Sequence, residues 1–301
     1  MSARRRVPAP PSPALLHERV LHWYAGHARP LPWRDPSCSP WGVLVSEIMS
    51  HQTPVARVEP VWRAWMRRWP TPADLAAESP GEVVRAWGRL GYPRRALRLR
   101  EAAVAVCERH HGEVPSEQDL LRALPGVGAY TAAAVAAFAF GRRTTVVDTN
   151  VRRVLARAVE GRGQAAPALT VAESALAASL VPQDAATAAT WNVAVMELGA
   201  LVCQARSPKC DVCPVEDLCA WVAAGRPAHD GPPRRGQAWH GTDRQVRGAI
   251  LQQLRDGAGA VGRAALETAG PDAAQVDRCL ASLVEDGLLE PAGPHHYRLP
   301  R

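Results

Sequence analysis

Lysine is almost missing from this chain. Of 36 lysines and arginines in 301 residues, Lys209 is the one lysine. Lysine-based Schiff-base chemistry therefore has a single possible nucleophile. Phenylalanine is nearly absent too, with only Phe138 and Phe140. No stretch holds 18 consecutive apolar residues, which excludes a membrane-spanning helix. No convincing strand alternation precedes residue 285, so the first 220 residues read as all-α. The opening MSARRRVPAPPSPALL lacks the apolar run of a secretory signal and reads as a disordered, proline-rich tail over residues 1–13.

What is present points to a polyanion. The formal net charge is +7, which favours a partner such as nucleic acid without specifying it. Four of the seven cysteines, Cys203, Cys210, Cys213 and Cys219, follow a C-x6-C-x2-C-x5-C spacing. Four thiolates so close together can wrap one metal centre. The pattern favours a [4Fe-4S] cluster over zinc, which more often uses two well-separated C-x2-C pairs, and over ordinary thiols. Thiolate-bound metal fits a reducing compartment.

Helices are expected at residues 14–28, 41–52, 59–68, 81–90, 94–110, 117–122 and 130–140, then at 151–159, 170–180 and 186–201. Ser39-Pro40 reads as an N-cap with proline at the first helical position. Gly225–His240 is rich in Gly, Pro and Arg and reads as a linker. Residues 241–301 carry three short helical patterns and a possible hairpin at Leu288–Leu299, the outline of a winged helix. Leu124-Pro125-Gly126-Val127-Gly128 lies between two helical patterns. Its glycines permit a tight turn, and the N–H groups opening the next helix can hold a phosphate.

Together these motifs resemble the endonuclease III superfamily of DNA glycosylases, and within it the adenine glycosylases of the MutY type. The matching stretches are Leu31-Pro32-Trp33-Arg34, Ser46-Glu47-Ile48-Met49 with Gln52-Thr53, and Leu90-Gly91-Tyr92. LPGVGAYTA at Leu124–Ala132, Val147–Leu155 and the four cysteines complete the match, over roughly residues 29–222. The resemblance implies a two-domain helix–hairpin–helix glycosylase fold. One domain, with the hairpin, spans residues 36–144; the other, residues 14–35 and 145–224, holds the cluster. A small winged-helix-like domain at 241–301 follows the 225–240 linker. It implies excision of adenine opposite 8-oxoguanine or guanine in double-stranded DNA, by a monomer in the bacterial cytoplasm at the nucleoid.

Breaking an N-glycosidic bond calls for an acid on the base and a carboxylate beneath the sugar cation. By resemblance Glu47 is the acid and Asp148 the carboxylate, with Asn150 orienting Asp148. The apolar residues around Glu47 are expected to raise its pKa. Read without the family, Asp148 is simply a helix N-cap. Tyr130 stands where strand-cutting relatives have lysine, so no imine is expected. Gln52, Thr53 and Tyr92 match segments that enter the base stack, and Arg29, Trp33 and Arg34 a segment beside the pocket. Gly126 and Gly128 match the phosphate-gripping hairpin, and Arg206 and Lys209 are placed to meet phosphate. The chain departs from the family at Ser50-His51, Pro93 and Thr149, and it lacks the Phe-Ser-His loop with which longer members read 8-oxoguanine. Lesion sensing is therefore expected around Gln52 and Tyr92, with the last sixty residues adding mostly phosphate affinity. Two alternatives are a mismatch thymine or uracil glycosylase of the same fold and an iron–sulfur redox-sensing DNA-binding regulator. Glu47 argues against the first, and the Glu47/Asp148 pair against the second.

Overall fold

The computed structural model describes residues 11–228 and 239–301. Most of the expected tail and linker lies outside them. α1 (Pro13–His27), α2 (Pro40–Ser50), α3 (Val55–Arg68), α4 (Pro72–Ala77), α5 (Pro80–Trp87), α6 (Arg94–His110) and α7 (Gln118–Arg122) come first. α8 (Ala129–Phe140), α9 (Thr149–Ala158), α10 (Val171–Ser179), α11 (Ala185–Leu201) and α12 (Ala220–Ala223) lead through the cysteine loop. α13 (Asp243–Asp256), α14 (Arg263–Leu266) and α15 (Ala273–Glu285) interleave with β1 (Val261–Gly262), β2 (Glu290–Pro291) and β3 (His296–Arg298). Side-chain caps begin many of these helices. Ser39 accepts from the Gly42 N–H as expected, and Thr71-Pro72 opens α4 with a capping box.

The chain divides into two compact units. The first holds residues 11–37, 116–118 and 128–228; the second holds 38–115, 119–127 and 239–301. This division departs from the boundary expected at residue 144. α8 groups with the first unit because its alanine face packs with Val146, Ala189 and Met196. The core of that unit joins Leu16, Val20 and Trp23 of α1 to Val151, Val154 and Leu155 of α9 and to Trp191, Val195 and Leu198 of α11. Buried Asn192 ties the approach to α9, donating to the Thr144 carbonyl at 3.0 Å and accepting from the Val146 N–H at 3.2 Å.

In the second unit tryptophan does the work that phenylalanine commonly does. Trp65 meets Trp69 and Trp87 edge-on, with centroids 4.8 and 5.5 Å apart. The indole N–H groups of Trp41, Trp62, Trp65 and Trp87 each donate to a backbone carbonyl, so large rings are buried without orphaned donors. The C-terminal module is winged-helix-like: three helices and a small antiparallel sheet in the order β1-β3-β2. Its apolar core runs on into Val84 of α5 and Leu97 of α6. Arg255 donates to the Val84 carbonyl at 3.0 Å, Arg85 donates to the carbonyls of Arg255 and Gly257, and Arg94 pairs with Asp286 at 3.1 Å. The module is thus seated on α5 and α6. Among the described residues, no helix is long and apolar enough to cross a membrane.

Candidate active site and cluster loop

Asp148 is the N-cap of α9, and the capping and catalytic readings of this residue coincide. One carboxyl oxygen accepts from the Val151 N–H at 2.7 Å and the other from the Asn150 amide at 2.7 Å. The cap fixes the carboxylate against the helix start. Desolvation raises its pKa above the usual aspartate value, against the lowering effect of its hydrogen bonds. The chain of contacts continues: Arg153 donates to Asn150 Oδ1 at 2.6 Å, to the Gly199 carbonyl at 2.7 Å and to the Cys203 carbonyl at 2.7 Å. A hydrogen-bonded path therefore runs from Asp148 to the backbone of a cysteine in the metal-type loop. Tyr130, half-buried on α8, lies against the alanine cluster with Met196.

Glu47 belongs to the second unit. It sits on α2, where Trp41 to Met49 are buried without a break. That helix ends without a glycine cap, and Arg95 supplies the missing donors. Its guanidinium donates to the carbonyls of Ile48 (2.8 Å), Met49 (3.2 Å), His51 (2.7 Å) and Gly91 (3.0 Å), and to Thr53 Oγ1 (3.1 Å). Burial drives the Arg95 pKa down to about 10. This one residue ties the end of the Glu47 helix to the 90–92 loop. Gln52 and Tyr92 flank it, exposed and in left-handed backbone with φ of 52° and 47°. Such strain in non-glycine residues collects at functional sites. Burial also lowers the His51 pKa, and Arg95 adds to the effect.

The four cysteines line one small pocket of about 20 Å³, together with Arg157, Lys209 and Trp221. Among the described residues no three potential ligands converge on a single-ion point; the thiols ring the space instead. Without a metal, burial pushes the Cys213 thiol up to about 12 and raises Cys210 and Cys219. A cationic centre would offset that cost, so the donor set fits an iron–sulfur cluster. Buried Arg157 braces the loop. It donates to Cys203 Sγ at 3.5 Å and to the carbonyls of Gln204 (2.7 Å) and Ala205 (3.0 Å), and stacks on Trp221 at 4.8 Å.

Several expected DNA-facing residues have inward partners. Buried Glu197 binds Arg29 through two oxygens at 2.7 Å each and Arg34 at 2.8 Å. Burial alone would raise its pKa; the two arginines outweigh that and hold it near 2. Arg29 and Arg34 therefore brace the start of the first unit. Thr53 is buried too, donating to the Leu90 carbonyl at 3.1 Å. Trp33 is half-buried in the 3-10 turn Pro32–Arg34, while Arg206 and Lys209 are exposed. At the hairpin, Gly126 has φ of 76°, and a Cβ there would lie 2.8 Å from Arg98 Cβ. Gly128 begins α8 with no side-chain cap. Arg95, Arg153, Arg157 and Glu197 were missed from sequence. Their signal was a charge on an apolar helical stripe.

Residues 45–175 match the HhH-GPD superfamily of base excision DNA repair proteins, and residues 203–219 match the iron–sulfur binding domain of endonuclease III. The solved structure of a thermostable thymine-DNA glycosylase superposes with a TM-score of 0.63 and 28% identity, over 70% of this chain and 97% of that one. A non-covalent endonuclease III–DNA complex gives a TM-score of 0.60 at 25% identity, over 70% and 95%. An adenine DNA glycosylase of Mycobacterium tuberculosis is 52% identical over 282 residues, 93% of this chain and 92% of that one. A match at that level along almost the whole of both chains establishes the kinship: the chain belongs to the adenine DNA glycosylase family, DNA N-glycosylases of base excision repair.

Proposed function

We propose that the protein is a monofunctional glycosylase that removes adenine opposite 8-oxoguanine or guanine in double-stranded DNA. Adenine leaves the stack to reach the chemistry. Glu47 gives a proton to the adenine ring, making the base a better leaving group. The Asp148 carboxylate, positioned by Val151 and Asn150, stabilises the sugar cation until water completes hydrolysis. Tyr130 lends a hydroxyl near the base and cannot form an imine. The cluster is taken to be [4Fe-4S] on Cys203, Cys210, Cys213 and Cys219; when bound it ties down the loop carrying Arg206 and Lys209. A monomer acting on chromosomal DNA in the cytoplasm completes the reading.

The observation that carries it is the capped and hydrogen-bonded Asp148, supported by the buried Glu47 and by tyrosine at position 130. The test is incubation with duplexes holding single A, T or U mispairs, followed by alkali. The expected result is cleavage at A opposite 8-oxoguanine or guanine after alkali alone, and no borohydride-trapped complex. Excision of T or U instead of A would favour the pyrimidine activity of the structural neighbour, and strand cutting before alkali would refute the monofunctional reading.

A further inference from the structure

The C-terminal module carries no surplus of positive charge. Residues 239–301 hold seven arginines, no lysine and eight acidic residues, so the +7 of the whole chain arises outside them. Arg247, Arg263, Arg278 and Arg298 each pair with an acid of the same module at 2.5–2.9 Å. Charge neutralised in this way adds little to the hold on phosphate, contrary to the expectation from sequence.

The module instead grips one short stretch of the second unit from both ends. Arg255, in the last turn of α13, donates to the Val84 carbonyl near the end of α5 at 3.0 Å. Arg85, in the last turn of α5, donates back to the carbonyls of Arg255 and Gly257. Each helix supplies donors that the other's C-terminus lacks. Further along, Arg89 donates to Gln252 Oε1 at 3.3 Å. On the far side of the loop, Arg94 pairs with Asp286 at 3.1 Å and Leu97 packs against the module's apolar core. Between these anchors the backbone is left-handed three times, at Gly88, Gly91 and Tyr92, with φ of 55°, 83° and 47°. A left-handed tyrosine is strained and persists only where its surroundings over-determine it. Arg95 restrains the loop from within, through the Gly91 carbonyl; the module restrains both flanks.

We propose that the C-terminal module is a brace: through Gln252, Arg255 and Asp286 it holds the 88–93 loop in the conformation that presents Tyr92, and it acts on the reaction through that loop rather than through DNA. The proposal rests on the reading above, that adenine leaves the stack and Tyr92 enters it. Gln252, Arg255 and Asp286 are then positioning residues, far from the bond that breaks.

The probe is a duplex with 2-aminopurine in place of the target adenine opposite guanine, followed by stopped-flow emission with full-length protein; emission rises as the base unstacks. Gln252→Ala and Asp286→Asn should each lower that rise roughly two- to fivefold, and Asp286→Glu should restore most of it. The dependence of binding on salt should keep its slope in both variants, since each lost phosphate contact would lower it by about 0.9. In a Tyr92→Ala background the same two substitutions should cost nothing further, because they act through Tyr92; a general loss of stability would cost as much in either background. Should Asp286→Asn lower the melting temperature, Gln252→Ala carries the cycle. A wild-type rise in both variants, an equal further loss in the Tyr92→Ala background, or a shallower salt slope would each overturn the brace. Tyr92→Ala separates the two readings: if it lowers the rise while the module variants do not, only the brace falls; if it changes nothing, the wedge itself is wrong and the brace falls with it.

Discussion

Gly199 tests whether the geometry behind Asp148 matters for catalysis. This residue of α11 faces the start of α9, and a Cβ built on it would lie 2.7 Å from Asn150 Cβ and 3.0 Å from the Asn150 Cα and carbonyl oxygen. Ordinary contact begins near 3.4 Å, so Gly199→Ala must move these groups apart by about 0.7 Å. The obstacles are backbone and Cβ, which cannot rotate away. Asn150 holds Asp148 through a 2.7 Å hydrogen bond, and the same displacement stretches it to about 3.4 Å, beyond useful strength. Misplacing a catalytic group by about 1 Å costs up to ~100-fold in rate, so single-turnover adenine excision should fall by roughly ten- to a hundredfold. Overpacking costs about 1–3 kcal/mol, partly offset by about 0.5–1 kcal/mol for removing a helical glycine. The melting temperature should therefore fall only modestly. Gly248→Ala is the control, since a Cβ there meets nothing within 4 Å; it should melt slightly higher and excise normally. A Gly199→Ala protein with wild-type excision would refute the claim that Asn150 positions Asp148.

Glu47→Gln and Asp148→Asn should keep DNA binding, measured by gel shift, and lose on the order of 10²–10⁴ in single-turnover excision. The raised Asp148 pKa adds a pH signature. Protonation favours the folded state, so the destabilising effect of the anion is full above the folded pKa and absent below the unfolded value; Asp148→Asn should melt no lower than wild type at neutral pH, and excision should fall as pH drops through the raised pKa. Glu197→Ala strands Arg29 and Arg34 and should cost about 3–5 kcal/mol in denaturant titration; because the Glu197 pKa is depressed to about 2, the stability it contributes is present above its unfolded value and is lost as pH falls toward 2. Protein purified without oxygen should be brown and hold about four irons per chain by elemental analysis, and stoichiometric zinc without iron would contradict the cluster.

Helix positions were legible because caps and apolar periodicity act locally. Ser39-Pro40 starts α2 in sequence as in space, and Asp148 could be read as a cap before its carboxylate had any other meaning. The cysteine loop was legible because ligand spacing is itself local. The inward-facing arginines were not. In a chain with one lysine, arginine serves both surface and core, and the sequence does not say which. Arg95 occupies five carbonyl and hydroxyl acceptors, four of them in residues 48–53, which reach it only after folding, while Arg206 stays exposed. The ion pairs of Arg29 and Arg34 were hidden because their partner, Glu197, lies more than 160 residues away. The same limit hid how the last sixty residues are seated. Their helices and hairpin were visible as patterns, but their seating on α5 and α6 depends on Arg255 finding the Val84 carbonyl across 171 residues. Together with the Arg94–Asp286 pair and the shared apolar core, that long-range contact brings Arg244 over Tyr92.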